Sequence, residues 1–232
     1  MEAAPAPAGP MQLFLLMTLI MNTSICLIRH GETAWNAVRR LQGWQDIELN
    51  ETGLQQAHAL QRHLSSPAFD MRVDAVFSSD LRRASETARL ACRHWDLPVQ
   101  TDAGLRERGF GVLEGQPWDA AGRHGPDQPG NTVDIDYAVE GGESLRQFQA
   151  RVLGCFEKLA AGHPGKNLLV FAHGGVIDMV WRRLNGQALN AKRAHAILNT
   201  SLNYFSIDPA LNWTTRAWGQ LPHLEQALDE AP

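Results

Sequence analysis

Histidine and arginine side chains follow apolar segments at separate places along the chain. Arg29 and His30 come directly after "SICLI", and His173 comes directly after "NLLVFA". Arg83 follows shortly after "DAVFSS", and Glu107 lies in "LRERGFGVLEG", after a further apolar segment. Guanidinium groups bind phosphate oxygens through paired hydrogen bonds, imidazole is a nucleophile or proton carrier near neutral pH, and a carboxyl group transfers protons. If the fold brings these side chains together, they suit phosphoryl chemistry.

The segments between these residues alternate between short apolar runs and longer stretches of helical periodicity. The predicted strands are residues 23–29, 74–79, 97–102, 167–173 and 202–207. Such alternation predicts an α/β fold, a three-layer sandwich around a mostly parallel central sheet. Ligands of such folds bind beyond the carboxyl ends of the strands, which is where Arg29, His30 and His173 would lie.

Four helices are predicted from apolar residues at helical spacing. The first begins at a capping box formed by Thr52 and Gln55, and the second has Asp80 as its N-cap. The third spans 143–161 and the fourth spans 176–184. Arg83 would lie in the first turn of the second helix, whose backbone N–H groups favour an anion.

Composition limits the classes of protein and partner that this chain fits. With 232 residues, of which 44% are hydrophobic, the chain can bury one full core but is short for two ordinary domains. The formal net charge is −4, so no overall basic field would hold nucleic acid or an anionic membrane. Cys26, Cys92 and Cys155 have neither CxxC nor zinc spacing and are predicted to be buried free thiols, which indicates a reducing cytoplasm.

The amino-terminal residues differ in composition from the rest. Residues 1–10 are rich in Ala and Pro, and the apolar "MQLFLLMTLIM" that follows is shorter than the ~20 residues that cross a bilayer. We expect residues 1–21 to be a dispensable, disordered leader or a mis-assigned start, with a signal anchor as the alternative. Residues 22–232 are expected to form a single domain with an insertion at about 116–140.

Five segments in one chain order carry a resemblance to a known family. They are "RHGETAWN" with the following "GWQDIELNETG", then "SSDLRRASETA", "LRERGFGVLEG", "GGESL" and "AHGG". Together they resemble the histidine phosphatase superfamily, in its phosphoglycerate-mutase-like branch. Several matches in the same order arise by chance far less often than any one of them. The likeness covers nearly the whole chain after residue 22 and implies a phosphoglycerate-mutase-like fold.

The resemblance implies a role for each motif residue. His30 would be the nucleophile that receives the phosphoryl group as a phosphohistidine. Glu107 would be the general acid and base, which protonates the leaving alcohol and then deprotonates the attacking water. His173 would complete the catalytic set. The phosphate-binding residues would be Arg29, Arg83, Asn36 and Gly174. By the family pattern Arg83 is preferred to Arg82, which we interpret as a solvent-facing helix charge.

For a second set of residues the resemblance leaves two roles open, substrate binding or loop architecture. These residues are Gln42, Gly43, Arg108, Glu143 and Ser144. The sequence has no HExxH motif and no clear cluster of metal carboxylates, so we expect neither a metal nor another cofactor.

The predicted function is metal-independent hydrolysis of a small phosphorylated metabolite, with no nucleic-acid or membrane partner. The sequence leaves open whether the protein is a monomer or a homodimer. One alternative is a cofactor-dependent phosphoglycerate mutase, and another is a catalytically silent binding protein on the same fold. The mutases typically carry paired arginines in the insertion and Asn two residues after the second histidine, whereas this chain has only Arg123 and, in the latter place, Gly175. Substrate specificity is expected to depend on the insertion, with Trp118, Arg123 and Tyr137 as candidates.

Overall fold

A single six-stranded sheet forms the centre of the protein. The computed structural model describes residues 21–119, 134–193 and 195–224. The strands are β1 (Thr23–Arg29), β2 (Ala75–Ser78), β3 (Val99–Thr101), β4 (Asn167–Ala172), β5 (Leu202–Ile207) and β6 (Trp213–Gln220), in the order β3-β2-β4-β1-β5-β6. Strands β1 to β4 run parallel, and β5 pairs antiparallel with both β1 and β6. The predicted mostly parallel sheet is confirmed.

Helices cover both faces of this sheet. They are α1 (Ala34–Ala37), α2 (Glu51–Leu64), α3 (Arg82–Cys92), α4 (Leu145–Gly162) and α5 (Gly174–Asn185), and single 3₁₀ turns span 103–105 and 111–113. Successive side chains of a strand point to opposite faces. Ile25 and Leu27 of β1 therefore belong to the core under α4 and α5, whereas Cys26 and Ile28 belong to the core under α2 and α3. The result is the predicted three-layer sandwich.

The two central strands fix the position of the two histidines. β1 and β4 are neighbours in parallel register, with Arg29 opposite Ala172. Both strands are buried on both faces, which explains their nearly continuous apolar sequence. Because the strands end at the same edge, His30 and His173 emerge side by side.

Two predicted helix caps are wrong. The N-cap of α2 is Asn50, whose side chain accepts a hydrogen bond from the Gly53 N–H, and not Thr52. The N-cap of α3 is Leu81, which has no side-chain cap. Asp80 instead forms an ion pair with Arg106 at 2.5 Å, because the chain after β3 returns to the same sheet edge.

Two helix boundaries and one strand also differ from the prediction. Helix α4 begins at Leu145, with Ser144 as N-cap in a capping box with Gln147, and α5 begins already at Gly174. Strand β6 was not predicted. It lies at the sheet edge with most residues exposed or half-buried, and its polar sequence therefore lacks the apolar pattern on which strand prediction depends.

Some predictions concern parts of the chain with little or no structural description. Residues 1–20 and most of the insertion, including Arg123, lie outside the described residues. Trp118 and Tyr137 are described, and the Trp118 indole N–H donates to the Arg40 carbonyl at 2.8 Å. No described helix combines the length and apolarity needed to span a bilayer.

The cysteines are buried free thiols, as predicted. Burial raises the pKa of the Cys26 thiol to about 12, and it raises that of Cys155 to about 12 as well. Because the thiolate is the reactive form of cysteine, these two residues act as apolar packing groups.

The corrected cap of α2 can be tested by comparing two substitutions. Asn50→Ala should lower the free energy of unfolding by about 1 to 2 kcal/mol, because it removes the cap and also the hydrogen bond from Asn50 Nδ2 to Glu32. Thr52→Ala, at an exposed position, should change it by less than about 0.5 kcal/mol. Urea denaturation of both variants measures the difference. Equal losses would mean that Asn50 is not the cap.

Candidate active site

His30 lies at the end of β1 with its backbone fixed from two sides. Its N–H donates to the Ala172 carbonyl at 3.0 Å, and its carbonyl accepts from Asn199 Nδ2 at 2.9 Å. The ring Nδ1 lies 2.6 Å from the Gly31 carbonyl. A carbonyl oxygen only accepts, so we assign the ring proton to Nδ1. Neutral His30 therefore carries its lone pair on Nε2.

The surroundings of His30 keep its imidazole uncharged. Burial, followed by the charges of Arg83 and Arg29, lowers the pKa of His30 well below its usual value of 6.5. Desolvation and nearby cations both disfavour the imidazolium. An imidazole without the extra proton has a nucleophilic nitrogen available at cellular pH.

His173 lies beside His30, with a distance of 5.2 Å between the two ring centroids. It follows β4, is fully buried and is the N-cap residue of α5. Neither of its ring nitrogens hydrogen-bonds to another described residue. Buried polar atoms are nearly always paired in folded proteins, so these nitrogens are candidate partners for a ligand. Burial and then Arg83 lower the pKa of His173 well below its usual value.

Two buried guanidinium groups accompany the histidines. Arg29 Nη1 donates to the Ile197 carbonyl at 2.5 Å, and Arg83 donates to the carbonyls of Gln45 and Gly43 at 2.9 and 2.8 Å. These backbone bonds fix the direction of each guanidinium. Their positive charge favours an anion next to the two imidazoles.

Arg82 is directed away from this cluster. Its side chain is 62% exposed and forms ion pairs with Asp46 and Glu48. This agrees with the interpretation of Arg82 as a solvent-facing helix charge. The buried member of the pair is Arg83.

Glu107 is buried where residues 105–115, here called the acid segment, meet the start of α5. Its carboxylate accepts hydrogen bonds from the N–H groups of Arg108 at 2.8 Å and Gly175 at 2.9 Å. A side chain at position 175 would overlap Glu107 Oε1. Since Gly175 follows His173 by two residues, the structure brings Glu107 close to the histidine pair.

Asn36, Gln42 and Gly43 support the loop that follows His30. The Asn36 and Gln42 side-chain oxygens lie 3.1 and 3.0 Å from the Thr33 hydroxyl, and Asn36 also closes the capping box of α1. Gly43 has φ +52° and presents its carbonyl to Arg83. A left-handed backbone favours glycine. These contacts are architectural, and a direct substrate contact remains a prediction.

Arg108, Glu143 and Ser144 connect the acid segment to α4. Arg108 Nε donates to the Glu143 carbonyl at 2.9 Å, and burial lowers the pKa of Arg108. The Glu143 carboxylate accepts from Gly109 N–H and from Arg151. Ser144 caps α4. Gly174, the remaining predicted residue, is the buried first residue of α5.

Sequence reasoning did not single out Thr87, Arg151 and Asn199. The Thr87 hydroxyl accepts from Gly31 N–H at 3.0 Å, and Asn199 holds the His30 carbonyl. Arg151 binds the backbone around Glu107. Each of them binds main-chain atoms far away in sequence, and such contacts leave no local pattern to detect.

The arrangement combines a neutral imidazole, a second imidazole, two buried cations and one carboxylate. Cations and oriented N–H groups stabilise the negative charge of a transferring phosphoryl group. Among the described residues, no group of three or more His, Cys, Asp or Glu is placed to hold a metal ion. The two guanidinium groups and the two imidazoles have the chemistry to bind a phosphoryl group and to accept it on His30 Nε2.

Comparison with known proteins agrees with this chemistry. The model of the histidine phosphatase superfamily (branch 1) matches residues 25–220. Phosphoglycerate mutase-like protein 4 of Arabidopsis thaliana is 38% identical over 207 residues, 87% of each chain. The metal-independent phosphoserine phosphatase of Arabidopsis thaliana is 34% identical over 206 residues, 87% of this chain and 83% of that protein.

A solved structure extends the comparison to three dimensions. Mycobacterial glucosyl-3-phosphoglycerate phosphatase matches with a TM-score of 0.71 at 28% identity, over 86% of this chain and 100% of that one. The chain belongs to the histidine phosphatase superfamily. The prediction that it is an enzyme of the histidine phosphatase type is confirmed together with the superfamily.

The protonation state of His30 gives a direct test of the site. Because burial and two arginines lower its pKa, the ring should stay neutral as the pH falls from 8 to about 5.5, where an ordinary histidine becomes mostly charged. Nitrogen NMR of histidine-labelled protein, with His30→Ala for assignment, should show a proton on Nδ1 throughout. A titration midpoint near the ordinary value would contradict the assignment.

The contact between Gly175 and Glu107 gives a second test. Gly175→Ala should slow the hydrolysis of an alkyl phosphate about tenfold or more, because the methyl group displaces the Glu107 carboxylate and small misplacements are costly. Gly154→Ala is the control, since its added methyl group has no atom within 4 Å. Steady-state rates of both variants measure the effect, and thermal unfolding verifies that both variants are folded. An unchanged rate for Gly175→Ala would show that the position of Glu107 is unimportant.

Proposed function

We propose that the protein hydrolyses the phosphomonoester of a small metabolite through a phosphohistidine on His30. The observation that carries the proposal is the hydrogen bond from His30 Nδ1 to the Gly31 carbonyl. It leaves the Nε2 lone pair for the phosphorus atom, and burial, followed by the charges of Arg83 and Arg29, keeps the pKa of the ring low and the ring neutral. The same two cations then contribute both to nucleophile activation and to transition-state stabilisation.

In the first step His30 Nε2 attacks phosphorus, so that an N–P bond forms while the bond from phosphorus to the leaving oxygen breaks. Glu107 donates its proton to that oxygen, because an alkoxide leaves poorly. Arg29, Arg83 and His173 hold the phosphoryl oxygens during the transfer. The alcohol leaves and His30 carries the phosphoryl group.

In the second step water attacks phosphorus from the side that the alcohol has left. The Glu107 carboxylate takes a proton from this water, the N–P bond breaks, and phosphate leaves. His30 returns to the neutral state with its proton on Nδ1, and Glu107 returns to the protonated state. The cycle needs no further reactant.

The names of similar proteins support a small phosphorylated metabolite as substrate. One is named a phosphoserine phosphatase and one a glucosyl-3-phosphoglycerate phosphatase. Both names describe a phosphate ester on a small polar alcohol. We infer the same chemical class for this chain, with specificity supplied by the residues around 116–140.

Phosphoglycerate mutase activity is the second candidate, because one relative is named mutase-like. In a mutase the phosphoryl group passes from His30 to a bound glycerate instead of water. Hydrolysis is preferred here because residues 116–140 contain a single arginine, Arg123, to hold the glycerate carboxylate. A bound alcohol must be well positioned to compete with water as the acceptor.

The proposal is tested by replacing the nucleophile and trapping the intermediate. His30→Ala should lower kcat by at least about 10⁴-fold, whereas His94→Ala, at an exposed position on the surface, should not change it. Labelled substrate quenched during turnover should leave phosphate on the wild-type protein, stable in alkali and lost in acid, as expected of a phosphoramidate. Alkali-labile label or an active His30→Ala variant would contradict the mechanism.

The two candidate activities are separated by the fate of the phosphoryl group. Incubation with 3-phosphoglycerate and catalytic 2,3-bisphosphoglycerate should release free phosphate with little 2-phosphoglycerate. Rapid isomerisation with little phosphate released would establish the mutase in place of the phosphatase.

A further inference from the structure

Arg151 of α4 binds the chain segment that carries Glu107. Its Nη1 donates to the carbonyls of Gly104 and Arg106 at 3.1 and 3.0 Å, and its Nη2 donates to the carbonyl of Glu107 at 3.1 Å. The side chain is 22% exposed. One guanidinium thus fixes three carbonyl groups of a segment that is otherwise a 3₁₀ turn followed by a loop.

Glu143 completes this arrangement on the other side of Glu107. It forms a bidentate ion pair with Arg151, with distances of 2.8 Å from Nε and 2.6 Å from Nη2. Its Oε2 also accepts from Gly109 N–H at 2.9 Å. The pair therefore binds the backbone both before and after Glu107. The planar guanidinium of Arg151, whose donors have fixed directions, suits this geometry.

Aromatic rings shield the guanidinium of Arg151. Its central carbon lies 5.2 Å from the centroid of the Phe148 ring and 6.0 Å from that of Trp44. The Trp44 indole N–H also donates to the Glu107 carbonyl, at 2.8 Å. Hydrogen bonds that are partly removed from water are stronger and more rigid.

We propose that Arg151, with Glu143 as its partner, is a positioning residue that sets the location of the Glu107 carboxylate for proton transfer. The inference rests on the proposed role of Glu107 as general acid and base. That role requires the carboxyl group within hydrogen-bond reach of the leaving oxygen. The carboxylate accepts from the N–H groups of Arg108, in the same segment, and of Gly175, so a shift of the backbone of this segment would move the carboxylate.

If the inference holds, the loss of hydrolysis rate on replacing Arg151 depends on the leaving group of the substrate. An aryl phosphate with a good leaving group hardly needs protonation, whereas a simple alkyl phosphate depends on it. Arg151→Lys keeps the positive charge but loses the planar set of donors, and Arg151→Gln loses both. Each should slow alkyl phosphate hydrolysis about tenfold or more and p-nitrophenyl phosphate hydrolysis less than about threefold. Arg146→Gln is the matched control, because Arg146 lies on the same helix with its ion pair to Asp136 on the surface.

Two results of this comparison would overturn the inference. One is an equal loss with both substrates, which indicates general damage to the structure. The other is full activity in Arg151→Lys beside a defective Arg151→Gln, which would mean that the charge of Arg151 matters and its geometry does not. The lysine variant keeps the test decisive if the glutamine variant fails to fold.

A double substitution separates this inference from the proposed function. If Arg151 acts through Glu107, then Arg151→Lys combined with Glu107→Gln should be within about twofold of Glu107→Gln alone, since coupled residues are not additive. Losses that multiply would refute the positioning role. If Glu107→Gln alone slows alkyl and aryl phosphates equally, the acid role of Glu107 itself fails. If Glu107→Gln is selective and Arg151→Lys is not, only the role of Arg151 fails.

Discussion

The site depends on the burial of two guanidinium groups at the carboxyl edge of the sheet. Arg29 and Arg83 are 0% and 1% exposed, and a buried cation is costly unless hydrogen bonds and opposite charge compensate. Backbone carbonyls provide the hydrogen bonds, and a phosphoryl dianion would provide the opposite charge. Burial, together with the charges of these same cations, lowers the pKa of His30 and keeps it neutral. The cations that would attract the substrate therefore also help to prepare the proposed nucleophile.

Burial of these groups requires a rigid backbone around them. Thr200 has φ 57°, a left-handed conformation that is rare for a β-branched residue and costs about 1 to 3 kcal/mol. Its N–H donates to the Arg29 carbonyl at 3.1 Å, and the preceding Asn199 donates to His30. The loop before β5 thus holds Arg29 and His30 from one side while β4 holds them from the other. The strained backbone is maintained by these contacts.

The sequence was sufficient to predict five of the six described strands and the place of the two histidines at strand ends, for a simple physical reason. A buried parallel strand must be almost entirely apolar, so a polar residue at its end is conspicuous, as His30 and His173 are. An exposed edge strand such as β6 has no such requirement. The cap of α2 was decided by a tertiary contact, because Asn50 also bonds to Glu32, and local patterns do not reveal that.

Contacts to distant main-chain atoms limit how much of the site can be predicted from the sequence. Arg151 appears in sequence as an ordinary helix charge, and Glu143 appears as a motif residue with two open roles. The structure joins them around Glu107, because α4 lies against the 3₁₀ turn that precedes it. The contact between Arg151 and Glu143 depends on the path of two loops. The spacing of apolar residues in the sequence does not predict that path.

The site therefore consists of two parts with different mechanical support. The proposed phosphoryl-binding part, with His30, His173 and Arg29, is attached to neighbouring parallel strands of the core. The acid part, with Glu107, is a loop fixed by the side chain of Arg151 and by the amide of Gly175. A change in the loop would alter how the leaving group is protonated and recognised without moving the nucleophile. This difference would allow one proposed phosphoryl site to serve different alcohols, because the loop with Glu107 has additional support from α4 through Arg151.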